Sequence, residues 1–152
     1  MEVRRIEDQL KRAFEGPAWH GPSVLETLGR VTAARAAARP IRSAHTIWEI
    51  ALHIAVWEDV VRRRIGGEAV SLTSEQDWPP VKKTGAAAWK GALASLRRGH
   101  RALRDAVARL PESRLAEKVG SRGTAVYVLL HGAIQHDLYH AGQIAILKKA
   151  KG

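Results

Sequence analysis

The chain has 152 residues, of which 45% are hydrophobic and 26% are charged, a balance that is typical of one globular domain spanning residues 1–152. It contains no cysteine, which excludes disulfide bonds and thiolate metal ligands and is compatible with a reducing cytoplasm. The formal net charge of +10 raises the question of an anionic partner such as nucleic acid.

The first predicted element is a helix over residues 2–15, and a short second helix follows it. The connector "GPAWHGPS" interrupts the helical pattern with two Gly-Pro steps. Ser23 and Glu26 have capping-box spacing and predict the short helix "VLETLGRV". The first helix places one apolar face toward the core: Val3, Ile6, Leu10, Ala13 and Phe14.

The next long helix is predicted over about residues 44–65, with Ser43 as its N-cap and Gly66 as its stop. The preceding segment "AARPIRS" is expected to be a connector, because Pro40 disfavours helical geometry in the residue before it. The following segment, "GGEAVSLTSEQDWPPVKKTG", is expected to be a long loop. Loops of this length in a small domain often carry function.

Two further long helices are predicted, over about residues 86–109 and 125–150, with Thr124 as the cap of the last. The loop "PESRLAEKVGSRG" separates them, and no segment shows sustained strand alternation. Four long helices around one core predict an all-α four-helix bundle. The loops are long enough to allow a crossover connection.

The last helix carries two histidines in the segment "HDLYHAGQIAILKK". His136 and His140 are one turn apart and leave the same face of the helix. Gln143 lies about 20° from His136 on the helical wheel, and Leu129 and Leu147 share the stripe, so this face should point into the bundle. The pair is either a buried structural patch or half of a metal site.

The second long helix supplies a third inward histidine. His53 shares a stripe with apolar residues such as Ile50 and Val60. Three neutral imidazoles from two helices suit a divalent metal and leave one or two coordination positions open. We therefore favour a metal site formed by His53, His136 and His140 over a set of structural core histidines.

Other polar residues near these histidines have several possible roles. Glu49 lies one turn before His53 and is a candidate ligand, an acceptor that orients the imidazole, or a general base. His45 lies one turn earlier still and is expected to be exposed. The remaining histidines are expected at the surface or in packing positions: His20, His100 and His131.

Several aromatic and amide side chains are candidates for the lining of a pocket. Trp57 lies one turn beyond the histidine of the second long helix and is expected to form a wall. Trp19 and Trp78 lie in loops, where they are expected at the pocket mouth. Gln143 is a better pocket candidate than Tyr139, because it shares the histidine stripe.

The two histidine segments carry a family resemblance. "HTIWEIALHIAVWE" followed by "GAIQHDLYHAGQIAILKK" resembles the DinB/YfiT-like superfamily of small metal-dependent enzymes, and "GPAWHGPSVLETL" and the "DWPP" loop are similar to its members as well. The resemblance covers nearly the whole chain. It implies a bundle of up-down-down-up connectivity, a divalent ion (commonly zinc or nickel) on His53, His136 and His140, and a homodimer.

The resemblance also implies a class of reaction. Some relatives are transferases or isomerases that use a small thiol such as bacillithiol, mycothiol or glutathione. Because this chain has no cysteine, the nucleophile must come with the substrate or be a water molecule activated by the metal. We expect a thiol-dependent transferase or a hydrolase that acts on a small molecule. The alternative is a non-catalytic stress-response protein that binds a metal or a small ligand.

Location and macromolecular partners follow from the remaining patterns. The start "MEVRRIEDQL" lacks the apolar region of a signal peptide, and no apolar run approaches the roughly 20 residues of a membrane helix. A cytoplasmic protein without a membrane partner is expected.

The basic residues are spread along the chain, apart from a stripe of Arg97, Arg101 and Arg104, and no nucleic-acid-binding motif accompanies them. Nucleic acid is therefore not an expected partner.

Overall fold

The computed structural model describes residues 1–150, and within them the chain forms seven α-helices, one 3₁₀ helix and one β-hairpin. None of the helices in this part of the chain has both the length and the apolar character to cross a membrane. The helices are α1 (Glu2–Glu15), α2 (Val24–Leu28), α3 (Ala33–Ala37), α4 (Ile47–Ile65), α5 (Ser74–Asp77), α6 (Ala86–Ala108) and α7 (Val126–Lys149). The 3₁₀ helix spans Glu112–Ala116, and the antiparallel hairpin pairs β1 (Lys118–Val119) with β2 (Thr124–Ala125).

The four long helices form a bundle in which α1 and α4 each pack against both α6 and α7. The start of α4 and the end of α1 meet in one apolar cluster, which contains Phe14 and Ile47. The start of α1 and the end of α4 lie in a second cluster, which contains Val3 and Ile65. Helix α6 starts in the first cluster and ends in the second, as α4 does, and α7 starts in the second cluster and ends in the first, as α1 does. This arrangement confirms the predicted all-α bundle with up-down-down-up connectivity.

A layer of buried polar side chains separates the two apolar clusters at the middle of the bundle. Each of α4, α6 and α7 contributes apolar residues to one cluster in its first half and to the other in its second half. Burial of polar groups is costly unless they find partners, so such a layer marks a position where function or special packing is concentrated. The layer consists of His53, Glu58, His100, Asp137 and His140.

The caps of the long helices differ from two of the predictions. Helix α4 begins at Ile47 rather than at residue 44, because Thr46 and Glu49 form a capping box: the Thr46 hydroxyl accepts the Glu49 N–H at 3.1 Å, and the Glu49 carboxylate accepts the Thr46 N–H at 2.7 Å. Ser43 is therefore not the cap. Helix α7 begins at Val126, since Thr124 pairs with Val119 in the hairpin and is not a cap.

Four short elements were not predicted, and one of them shapes the functional region. Helix α3 is capped by Thr32. The 3₁₀ helix lies within the second predicted loop, and the hairpin begins in it. Helix α5 lies within the long loop, where Thr73 and Gln76 form a reciprocal capping box. This single turn directs its last residue, Asp77, toward the middle of α4.

The basic stripe of α6 is partly used inside the fold. Arg104 forms ion pairs with Glu7 at 2.6 Å and with Glu15, and so connects α6 to α1. Arg97 and Arg101 are exposed. The stripe therefore offers fewer free charges than its sequence suggests.

The capping box gives a testable difference between two neighbouring hydroxyls. Thr46→Ala is expected to lower the free energy of unfolding by about 1 kcal/mol, because it removes a side-chain acceptor from the first turn of α4. Ser43→Ala is the matched control and should leave stability unchanged, since Ser43 is exposed and lies outside the helix. Urea denaturation measures both. Equal losses in the two variants would contradict the assignment of the cap.

Candidate metal centre

The three predicted histidines converge on one point in the structure. Nε2 of His136 lies 3.0 Å from Nε2 of His53 and 3.1 Å from Nε2 of His140. Helix α4 supplies His53, and consecutive turns of α7 supply the other two. Two imidazole nitrogens bound to one tetrahedral metal at about 2.0–2.1 Å lie about 3.3 Å apart. The residues therefore form a group that could hold a metal ion.

The other ring nitrogens fix the tautomers that ligation needs. Nδ1 of His53 lies 2.7 Å from the main-chain oxygen of Asp77 and 3.1 Å from its Oδ1. Nδ1 of His140 lies 2.7 Å from Oε1 of Gln143. These oxygens accept hydrogen bonds, so each Nδ1 carries the proton and each Nε2 presents its lone pair to the shared point.

The protein environment keeps these imidazoles neutral. Burial lowers the pKa of His53 and the pKa of His140 below the usual value for histidine. For His136, burial together with the neighbouring His140 and His53 lowers the pKa to about 3. At neutral pH the three rings are therefore uncharged, which is the state in which imidazole binds a metal ion.

Two tryptophans hold the imidazole of His53 in place. The indole of Trp78 stacks on it, with centroids 3.8 Å apart and planes 5° apart, and stacks on His45 from the other side at 3.5 Å. Trp57 donates its indole N–H to Oδ1 of Asp77 at 2.7 Å and lies 5.9 Å from the ring of His136. Trp78 is thus packed against a candidate ligand, and Trp57 lies beside two of them.

Glu49 has a different role from the roles predicted for it. Its carboxylate accepts the N–H of Thr46 and two hydrogen bonds from Arg39, at 2.7 and 2.9 Å. Burial alone would raise the pKa of Glu49, but the bonds from Thr46 and Arg39 lower it, which disfavours a general base. The acceptor that orients His53 is Asp77 instead. Capping spacing places the Glu49 side chain back along α4, at the helix start.

Trp19 lies away from the histidines, contrary to the prediction that it lines the pocket mouth. It is fully exposed, at the tip of a tight turn closed by a bridge between Ala18 and Gly21. It lines a separate groove with residues of α1 and with Ile134. Ile134 is two residues before His136 and therefore lies on the opposite side of α7, so this groove opens away from the histidine group.

Two cavities flank the histidine group and share Trp57 and Thr124. An apolar groove of about 300 Å³ is lined by His136, Val61 and small or apolar residues of α7. A polar pocket of about 510 Å³ lies on the other side of Trp57 and contains Arg64, Arg122 and Asp77. Hydroxyl groups complete this pocket: Ser71, Thr73, Ser74, Ser121 and Thr124. A ligand in either cavity would lie next to residues that contact the histidines.

Gln143 offers a direct test of the supporting hydrogen bonds. Gln143→Leu is expected to weaken Zn²⁺ binding about 10- to 100-fold, because it removes the acceptor that fixes the tautomer of His140. Gln143→Glu keeps an oxygen at the same position and should retain tight binding. Competition with a chromogenic chelator measures both affinities. Equal affinity in the leucine variant and the wild type would show that Gln143 does not orient the ring.

Comparison with known proteins gives one result for the chain as a whole. A family model described as the DinB superfamily matches residues 18–144 and includes all three histidines. No curated protein and no solved structure gives a significant match. The match spans helices α2–α6 and most of α7, so it covers three of the four bundle helices and both elements that supply the histidines. The chain therefore belongs to the DinB superfamily.

Proposed function

We propose that this protein is a divalent-metal-dependent enzyme whose ion is held by His53, His136 and His140. The observation that carries the proposal is the convergence of three neutral Nε2 atoms from two helices, with neighbouring distances of 3.0 and 3.1 Å. In the described part of the chain, the candidate ligand group at this point contains these histidines and no fourth residue. An ion held by three ligands keeps a position for substrate, and imidazole ligands suit zinc or nickel.

The reaction we propose is transfer to or from a small thiol, or hydrolysis. A bound divalent ion would lower the pKa of a coordinated thiol or water molecule and so make it a nucleophile at neutral pH. The chain has no thiol of its own, so the nucleophile must enter from solution. The apolar groove beside His136 would hold the electrophile away from water, and Trp57 would separate it from the polar pocket.

The lining of the polar pocket favours binding of an acidic group that belongs to the thiol or to the substrate. Arg64 donates two hydrogen bonds to the main-chain oxygen of Val70, at 2.8 and 3.3 Å, and its guanidinium lies 5.7 Å from the ring centroid of Trp57. Its position at the pocket wall is therefore fixed. The pocket lining contains two guanidinium groups and five hydroxyl residues but a single carboxylate, that of Asp77. Such a lining favours a carboxylate ligand.

The proposal is tested by turnover of the metal-loaded protein. Zn²⁺- and Ni²⁺-loaded protein should consume electrophiles with a panel of small thiols, or hydrolyse a panel of esters and amides. His136→Ala should abolish this activity, whereas His131→Ala on the same helix should retain it. If the loaded wild type turns over nothing in a broad panel, the enzyme proposal fails. A metal-binding protein without catalysis, for example one acting in a stress response, would then remain.

Arg64 provides a second test that concerns binding of the thiol. Arg64→Gln is expected to raise the KM for an acidic thiol such as glutathione about 10- to 100-fold, since a hydrogen bond to a charged group contributes about 1.5–3 kcal/mol. The KM for an uncharged thiol such as 2-mercaptoethanol should not change. Arg97→Gln is the control, because Arg97 is exposed on α6 and lines neither cavity. A similar rise for both thiols would contradict an acidic-group site.

A further inference from the structure

A second group of polar side chains lies inside the bundle, separate from the three histidines. It consists of Glu58 on α4, His100 on α6 and Asp137 on α7, which are 2%, 1% and 1% exposed. One potential ligand atom from each residue lies within 4.8 Å of the others. Three different helices thus direct two carboxyl groups and one imidazole toward a common point in the interior.

Most of the polar atoms in this group have no partner. Nδ1 of His100 lies 2.6 Å from Oε1 of Glu58, which is a hydrogen-bonding distance. The other buried atoms make no hydrogen bond within the described chain: Oε2 of Glu58, Nε2 of His100, and both carboxyl oxygens of Asp137. Buried polar atoms are rarely left unpaired, and a cluster of them indicates an ion or a water molecule that is part of the folded protein.

Protonation of the carboxyl groups alone does not satisfy these atoms. A protonated carboxyl is a donor that needs an acceptor within about 3 Å, and neither Asp137 oxygen has a hydrogen-bonding partner. No arginine or lysine forms an ion pair with Glu58 or Asp137 in the described chain, and the nearby Arg104 is paired with Glu7 and Glu15. An ion bound between the three side chains can contact all of them at once.

We propose that Glu58, His100 and Asp137 bind a second divalent cation in the interior of the bundle. The ligand atoms lie within 4.8 Å of one another, and this limit is about twice a metal–oxygen or metal–nitrogen bond of about 2.0–2.4 Å. The cation would neutralise the negative charges of the Glu58 and Asp137 carboxylates. Two carboxylates and one imidazole suit Zn²⁺ or Mn²⁺, and helix bundles commonly build such sites from facing helices.

Two features of the surrounding protein support a cation-binding site at this group. The ring of Phe14 stacks on His100, with centroids 3.8 Å apart and planes 9° apart, so the imidazole is held in one orientation. The group also lies between the two apolar clusters of the bundle, where two carboxyl groups without a basic partner need a positive ion.

Metal content and anomalous scattering test this second site independently of any enzyme activity. Zn²⁺-loaded wild type should retain two ions per chain after removal of loosely bound metal. Glu58→Gln and Asp137→Asn, which keep the shapes of the side chains, should each retain one ion, and His136→Ala should also retain one. A crystal of the wild type measured at the zinc edge should show a peak about 2.0–2.4 Å from Glu58, His100 and Asp137.

Either of two results would contradict a second metal site at Glu58, His100 and Asp137. One of them is a single ion in the wild type that is lost in His136→Ala and unchanged in Glu58→Gln. Another is a zinc-loaded wild-type crystal with no anomalous peak at the interior group, a result that remains decisive if a variant fails to fold. In both cases the three-histidine centre would be unaffected, so failure of this inference is distinguishable from failure of the proposed function.

Discussion

Replacement of His136 by alanine is expected to weaken Zn²⁺ binding by more than about a hundredfold. Nε2 of His136 lies 3.0 Å from Nε2 of His53 and 3.1 Å from Nε2 of His140, so the substitution removes a nitrogen that approaches both other candidate ligands. Loss of a residue that only supports a ligand costs about 10- to 100-fold in metal affinity, and loss of a direct ligand should cost more. Competition with a chromogenic chelator at neutral pH gives the affinities, and the Glu58→Gln background is used throughout so that the interior group does not hold zinc.

A control on the same helix separates ligation from general effects of the substitution. His131→Ala makes the same side-chain change in α7, but His131 packs against Tyr127 and does not belong to the histidine group. Its Zn²⁺ affinity should equal that of the wild type. If His136→Ala binds Zn²⁺ as tightly as His131→Ala does, His136 is not a ligand.

Phe14→Ala is expected to lower the free energy of unfolding by about 3–5 kcal/mol. Phe14 is 1% exposed and lies at the end of α1, where it joins the apolar cluster that contains Trp48 and Trp89. Its ring also stacks on the buried imidazole of His100. The substitution therefore removes buried apolar area, leaves a cavity, and exposes one face of a buried polar group. Urea denaturation of the metal-free protein measures the loss.

Trp19→Ala is the matched control, because it also removes an aromatic ring. Trp19 is fully exposed, so its loss should change stability by less than about 0.5 kcal/mol. Comparable losses in the two variants would mean that Phe14 does not occupy the core position described.

The sequence predicts the bundle and the three histidines because both depend on helical periodicity. Apolar residues at helical spacing identify the long helices, and the same wheel places His136 and His140 on one inward stripe and His53 on another. The wheel cannot place two helices relative to each other. The 3.0 Å approach of His53 to His136 is therefore known only from the folded chain.

The residues around the histidine group are harder to predict than the histidines themselves. Some lie in a loop without periodicity, and Glu49 fits two sequence patterns at once. Glu49 has helical spacing toward His53 and also capping-box spacing from Thr46, and the cap prevails in the structure. Asp77 and Trp78 lie in a long loop without periodicity. The capping-box spacing of Thr73 and Gln76 was the signal in that loop, and it predicts a helical turn but not the point to which the turn is directed.

The interior polar group shows a further limit of single-sequence reasoning. His100 was expected at the surface or in a packing position, although it shares an inward stripe of α6 with Leu96 and Leu103. That stripe was a usable signal for its burial. Glu58 and Asp137 carry charged side chains, which usually indicate a solvated face. Only the packing of three helices shows that both carboxyl groups meet a buried imidazole.

X-ray absorption spectroscopy of the Zn²⁺-loaded protein, combined with the loaded Glu58→Gln and His136→Ala variants, tests the central claim most directly. Zinc retained in Glu58→Gln should show three imidazole nitrogens at about 2.0–2.1 Å in its coordination shell, and this signal should disappear in His136→Ala. A shell with one imidazole or none, or a three-imidazole signal that persists in His136→Ala, would contradict a metal centre built from His53, His136 and His140.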